Sequence, residues 1–137
     1  MAIVKELIRQ EESGKISFGD YLSQTKQKLK DFEICGDLYN VKTYNEITRL
    51  EKNGVLFFES VPGSTITEFN INSKKVDFYI ESNAEDVQIT VDLGAEVEYK
   101  IYIDDVQAGK GKTNLAGKLT ASVETKKEPK HIVIEIL

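Results

Sequence analysis

The chain has 137 residues, which suits one average domain or two very small ones. Its formal net charge of −5 opposes binding to phosphate backbones and anionic membranes, so neither nucleic acid nor a membrane is an expected partner. The single cysteine, Cys35, excludes an intramolecular disulfide framework. The first residues lack the features of a signal peptide, which predicts a cytoplasmic protein and leaves export by a non-classical route open.

The first predicted element is a short helix. Ile3, Val4, Leu7 and Ile8 recur at helical spacing, and Gly14 follows where a helix would end. Only about three helical turns fit in this stretch, so a strand is the alternative.

Residues 15–43 predict strands, because apolar and polar side chains alternate along them. Gly36 and Asp37 are the expected turn between the last two of these strands. The alternating apolar pairs are Ile16 with Phe18, Phe32 with Ile34, and Tyr39 with Val41.

Residues 43–54 carry two conflicting signals. Thr43 and Glu46 form the pattern of a capping box, and Ile47 and Leu50 then share a helical face. Against this, the Asn-Gly pair at 53–54 before an apolar run is a strong hairpin signal. We favour the short helix, because Ile47 and Leu50 do not alternate.

Residues 65–137 alternate strictly between apolar and polar side chains, which predicts strands with one buried and one wet face. Counting a short edge strand at 106–109, about seven strands are expected, a number typical of an immunoglobulin-like sandwich. The turn between two of them is assigned to Asp104 and Asp105, in preference to a calcium site. The apolar series are Phe69 and Ile71; Val76, Phe78 and Ile80; Val87, Ile89, Val91 and Leu93; Tyr99, Ile101 and Ile103; Leu119, Ala121 and Val123; and Ile132, Ile134 and Ile136.

The predicted fold class is therefore mainly β, in two parts. Residues 1–62 are expected to form a small β-rich unit with one or two short helices. Residues 65–137 are expected to form an immunoglobulin-like β-sandwich, with the boundary at the Pro-Gly-Ser stretch of residues 62–64.

No catalytic residue, metal ligand or cofactor is predicted. His131 is the single histidine and lies at a strand start, where a surface position is the simplest interpretation. Acidic neighbours of Cys35 disfavour a reactive thiolate. Lys26, Lys28 and Lys30 share one strand face, which we interpret as protection of a sheet edge in preference to nucleic-acid binding.

Tyr79, Tyr102 and Val133 occupy positions where the alternation predicts contact with solvent. Outward aromatic side chains stack on sugars or anchor partner chains. The alternative, which we favour, is that the first 60 residues pack over them.

The segment of residues 98–123 carries YKIYIDD at 99–105, Gly109, and TNLAGKL at 113–119. These residues resemble the accessory β-sandwich modules of bacterial polysaccharide-active enzymes. In such modules the Asp pair and the Asn to Gly stretch are hairpin turns, so the resemblance implies a fold and allows glycan binding.

The whole chain also resembles a group of short bacterial proteins that carry an endosialidase-type label, through GDLYNVKT at 36–43 and EITRLEKNG at 46–54. Sialidase-type enzymes typically hold the sugar carboxylate with three arginines, whereas this chain has only Arg9 and Arg49. No catalytic residue carries over. We therefore expect a non-enzymatic interaction or structural protein that binds a protein partner or itself, with a glycan-binding module as the alternative.

Overall fold

The computed structural model describes residues 3–125 and 128–137, and within them every regular element is a β-strand. The strands form two sheets in which all neighbours pair antiparallel. The prediction of a mainly β, sandwich-like protein is confirmed, and the described residues contain no helix.

The seven-stranded sheet has the spatial order β1 (Ile8–Gln10), β2 (Ile16–Phe18), β7 (Thr65–Ile71), β8 (Lys75–Glu81), β13 (Lys130–Ile136), β10 (Glu98–Ile103), β11 (Val106–Lys112). The six-stranded sheet has the order β12 (Lys118–Glu124), β9 (Asp86–Asp92), β6 (Val55–Val61), β5 (Ile47–Lys52), β4 (Asp37–Tyr44), β3 (Gln27–Ile34). In each sheet, the face that points away from the other sheet is called its outer face.

The seven strands expected in residues 65–137 are all present as β7 to β13. Five of them lie in the seven-stranded sheet and two in the six-stranded sheet, each sheet being completed by strands from before residue 62. The segments on either side of residues 62–64 therefore interleave, and their buried side chains belong to one hydrophobic cluster.

Phenylalanine rings join the two sheets at the centre of this cluster. Phe58 of β6 packs edge-to-face on Phe18, Phe69 and Phe78 of the seven-stranded sheet, with ring centroids 5.5–6.0 Å apart. A register shift between β5 and β6 leaves Phe57 as an extra residue, and it too packs on Phe69. The bulge thus lets two consecutive residues contribute to the same core.

The opening helix is not formed, which corrects the first expectation. Residues Ile8–Gln10 are β1 and pair with β2, and the backbone N–H of Val4 donates to the Gly19 carbonyl rather than along a helix. Leu7 has a φ of 74°, which no right-handed helix accommodates. Because an isolated helix of about three turns is marginal in water, pairing with β2 prevails.

The helix favoured for residues 43–54 is also wrong, and the hairpin alternative is correct. Residues Ile47–Lys52 form β5, paired with β4 and β6. Asn53 and Gly54 have φ values of 52° and 80°, as a two-residue hairpin turn requires. The Asn53 side chain also accepts from the Leu38 N–H at 2.9 Å, which fixes the turn against β4.

Buried hydroxyls explain why Thr43 and Thr48 stand at inward positions. The two hydroxyl oxygens lie 2.8 Å apart on paired strands, and both residues are fully buried. Thr48 donates to the Ser64 carbonyl at 2.8 Å and accepts from the Ser64 N–H at 3.0 Å. Thr43 accepts from the Asp20 N–H at 2.9 Å. The apparent helix cap is therefore a core network that ties two loops to β4 and β5.

Thr48→Val should lower the free energy of unfolding by about 1–3 kcal/mol, because it leaves the buried Ser64 N–H unpaired. The matched control is Thr90→Val, whose hydroxyl faces Thr120 across the outer face at 3.4 Å. That control should stay within about 0.5 kcal/mol of the parent. Urea unfolding followed by circular dichroism measures both, and equal losses would contradict the role assigned to the network.

Candidate functional site

The structure places Tyr79, Tyr102 and Val133 together on the outer face of the seven-stranded sheet. They belong to the adjacent strands β8, β10 and β13. Tyr102 lies directly opposite Val133, and Tyr79 lies opposite His131, two residues before Val133. Strand order, which the sequence pattern leaves open, brings the three residues into one cluster.

His131 completes the cluster. Its ring stacks on Tyr79 with centroids 4.6 Å apart and an interplanar angle of 17°. Its Nε2 lies 2.6 Å from Asp77 Oδ1, so the imidazole N–H donates to that carboxylate. On the backbone, the His131 N–H donates to the Asp104 side chain at 3.0 Å. We call Tyr79, Tyr102, His131 and Val133 the aromatic cluster.

Asp77 also faces Lys75, whose Nζ lies 3.8 Å from Oδ2. The carboxylate therefore holds the imidazole on one side and meets an ammonium on the other. This arrangement fixes the orientation of the His131 ring against Tyr79.

The first 60 residues do not cover the cluster, contrary to the interpretation that we favoured. They form β1 to β6, of which β1 and β2 extend the sheet beyond β7 and the others build the opposite sheet. Tyr79 is 40% exposed, while Tyr102 and Val133 are half-buried. The outer face is therefore accessible at the strands that carry the cluster.

A hollow of about 220 Å³ borders Tyr79 at the β7 side of the sheet. Glu68, at a bulge of β7 with a φ of 54°, contributes a carboxylate to it. The bulge is held in place because the Glu68 N–H donates to Ser17 Oγ at 3.0 Å. The lining residues are Thr65, Thr67, Glu68, Tyr79, Ile80, Glu81 and Pro129.

Of the two carboxylates in this hollow, Glu81 carries its charge near the buried Tyr21 phenol. Burial of the Tyr21 phenol, followed by the nearby Glu81 charge, raises the pKa of Tyr21 to about 12. Glu68 is exposed, which leaves it accessible to a ligand in the hollow.

Charged residues of both signs flank the aromatic cluster. Lys75, Glu135, Lys100 and Lys110 follow one another across four strands of the outer face. An apolar and aromatic centre with a charged surround is the usual anatomy of a contact surface. The arrangement suits noncovalent binding.

The cysteine and the histidine considered as catalytic candidates do not come together. Cys35 is exposed in the turn before β4, with a φ of 52°, whereas His131 lies in the other sheet. Asp104 and Asp105 form the predicted turn, with φ values of 49° and 68°. Within residues 3–125 and 128–137, no group of three or more His, Cys, Asp or Glu side chains is arranged to hold a metal ion.

Sequence reasoning missed His131 and Asp77 as members of this site. The signal was present, because His131 has the same parity as Val133 and Asp77 the same parity as Tyr79 along their strands. Once the outward positions had been identified from Tyr79 and Val133, both residues could have been assigned to the same face.

In the part of the chain that the structure describes, no helix has the length and apolarity needed to cross a membrane. Comparison of the chain with protein-family models, curated proteins and solved structures found no match.

Proposed function

We propose that this chain is a non-enzymatic interaction protein that self-associates through the outer face of its seven-stranded sheet. The observation that carries the proposal is the aromatic cluster, in which Tyr79 and His131 are stacked and held by Asp77 on an uncovered face. Ordered tyrosines bury a large area on association at a small cost in conformational entropy.

The charges beside the cluster favour a second copy as the partner. Lys75, Glu135 and Lys100 alternate in sign across three strands. A surface with both signs in one row can pair with itself when two copies meet about a two-fold axis, because Glu135 of each copy can then face a lysine of the other.

Tyr102→Ala should weaken self-association by about thirtyfold, the effect of losing roughly 2 kcal/mol at a contact centre. The matched control is Tyr44→Ala, which removes a half-exposed tyrosine from the opposite sheet. Size-exclusion chromatography with light scattering, from micromolar to near-millimolar protein, reads the mass directly. A mass of 15.5 kDa at every concentration would refute self-association.

Glycan binding is a second candidate, favoured by the hollow beside Tyr79. A sugar ring could stack on the free face of Tyr79 while Glu68 accepts hydrogen bonds from its hydroxyls and Thr67 accepts or donates them. The resemblance of residues 98–123 to accessory modules of polysaccharide-active enzymes supports the same candidate. An immunoglobulin-like fold for residues 65–137 is part of this second candidate. The seven strands of these residues divide five and two between the sheets, which is not the usual division of that fold.

The two candidates share Tyr79 but differ in the other residues that they use, Tyr102 for self-association and Glu68 for a glycan, so they can be separated. Glu68→Gln should abolish glycan binding and leave the mass distribution unchanged. Tyr102→Ala should weaken self-association and leave glycan binding unchanged. A glycan array probed with the parent protein comes first, and an array without signal would remove the second candidate.

A further inference from the structure

Three cations stand side by side across the outer face of the six-stranded sheet. Lys28 of β3 pairs with Lys42 of β4, and Lys42 pairs in turn with Arg49 of β5. The fourth position of the row is Glu59 of β6, opposite Arg49. We call Lys28, Lys42 and Arg49 the cationic row.

This row is unfavourable for folding by itself. Side chains directly opposite on paired strands lie about 5 Å apart, and like charges there repel. Among the described residues, no carboxylate lies within 4.0 Å of Lys28, Lys30 or Lys42 to offset the repulsion. Arg49 has a partial partner, with its Nε 3.5 Å from Glu59 Oε2 and no hydrogen bond to that buried nitrogen.

Protection of a sheet edge explains only part of the pattern. Lys28 and Lys30 lie on β3, which is an edge strand, and lysines there discourage pairing with another chain. Lys42 and Arg49 lie on β4 and β5, which are paired on both sides. Their charges cannot protect an edge, so the concentration of cations on interior strands needs another reason.

The cations surround a shallow hollow of about 170 Å³. A bulge in β3, where Asp31 has a φ of 57° and its N–H donates to Asn40 Oδ1 at 2.9 Å, shapes one wall. Asn40 also donates to Glu51 at 3.4 Å, which engages the one carboxylate of the lining. The polar lining residues are Lys28, Lys30, Asn40, Lys42, Arg49 and Glu51.

We propose that this hollow binds a multivalent oxyanion, a phosphate or sulfate group carried by a small molecule or by one end of a larger one. Lys28, Lys30 and Lys42 supply mobile point charges, and Arg49 supplies a planar fork of donors. A bound anion would offset the repulsion among the three cations of the cationic row, so anion binding should stabilise the folded protein. The volume is below the roughly 300 Å³ of a drug-sized pocket, which limits the occupant to one such group.

Inorganic pyrophosphate is the first probe, titrated by calorimetry and by thermal unfolding at an ionic strength held constant with sodium chloride. The unfolding midpoint should rise with pyrophosphate concentration and not with chloride, because a ligand that binds the folded state stabilises it. Sulfate and a sulfated disaccharide form a second arm. A rise in the unfolding midpoint with pyrophosphate alone, or with the two sulfate compounds alone, identifies which group the hollow binds.

Lys42→Gln should weaken binding at least tenfold and leave the midpoint of the ligand-free protein unchanged or higher, since it removes repulsion on both sides of position 42. The matched control is Lys112→Gln, a lysine opposite Glu98 on the other sheet, which should retain parental binding. The proposal is overturned if neither oxyanion protects beyond chloride. It is also overturned if Lys112→Gln loses as much binding as Lys42→Gln, which would indicate a diffuse charge effect.

Discussion

Phe58→Ala is expected to lower the free energy of unfolding by about 3–5 kcal/mol. Phe58 is fully buried and touches three phenylalanines of the opposite sheet at centroid distances of 5.5–6.0 Å. Its removal leaves a cavity at the junction of the two sheets, and the edge-to-face contacts are lost with the buried area. Urea unfolding followed by circular dichroism at 25 °C gives the value.

Leu115→Ala is the control for this prediction, because Leu115 is 82% exposed and its truncation should change stability by no more than about 0.5 kcal/mol. Phe58→Leu keeps most of the apolar volume and should fall between the two. A loss below about 1.5 kcal/mol for Phe58→Ala would contradict the central position that the structure gives this ring.

Gly63→Ala is expected to cost about 3 kcal/mol or to prevent folding, for a steric reason. A Cβ added at Gly63 would sit 1.9 Å from the backbone oxygen of Tyr44, and no side-chain rotation can relieve that overlap. The approach is enforced by the backbone, since the Gly63 N–H donates to the Asn45 carbonyl at 3.0 Å. Thermal unfolding of the purified variant, or its absence from the soluble fraction, reads the effect.

Gly36→Ala separates this clash from the conformational preference of glycine. Gly36 has a φ of 85° and nothing within 4 Å of an added Cβ, so its substitution meets backbone strain alone, about 1 kcal/mol. Similar losses at positions 36 and 63 would show that the loop at 62–64 can move away from Tyr44, and the steric argument would fail.

The two outer faces have different chemistry. The seven-stranded sheet presents the aromatic cluster with charges of both signs, and the six-stranded sheet presents the cationic row. Tyr102→Ala and Lys42→Gln therefore act on separate surfaces, and their effects on self-association and anion binding should be independent.

Thr43 is the residue at which the predicted helix of residues 43–54 was expected to begin, and the structure gives it a different role. A Thr three residues before a Glu is a valid signal for a helix start, and it describes the local sequence correctly. The structure instead uses the Thr43 hydroxyl to accept from the Asp20 N–H and to contact Thr48, partners that lie 23 and five residues away along the chain. Tertiary pairing outweighs a cap because a strand between β3 and β5 also buries Tyr39 and Val41.

The sequence by itself determined which residues form strands from Thr65 onward and which of their side chains point outward, because a period of two assigns each residue to a face. The sequence also carried the hairpin signal at Asn53 and Gly54, but we ranked it below the helix signal of residues 43–54, because local preferences alone did not decide between the two. The tertiary structure alone decided which strands are neighbours, as where β13 joins β8 and β10 and gathers Tyr79, His131 and Tyr102. Likewise, only strand pairing aligned Lys28, Lys42 and Arg49, since alternation fixes the face of a side chain and long-range contacts fix what stands beside it.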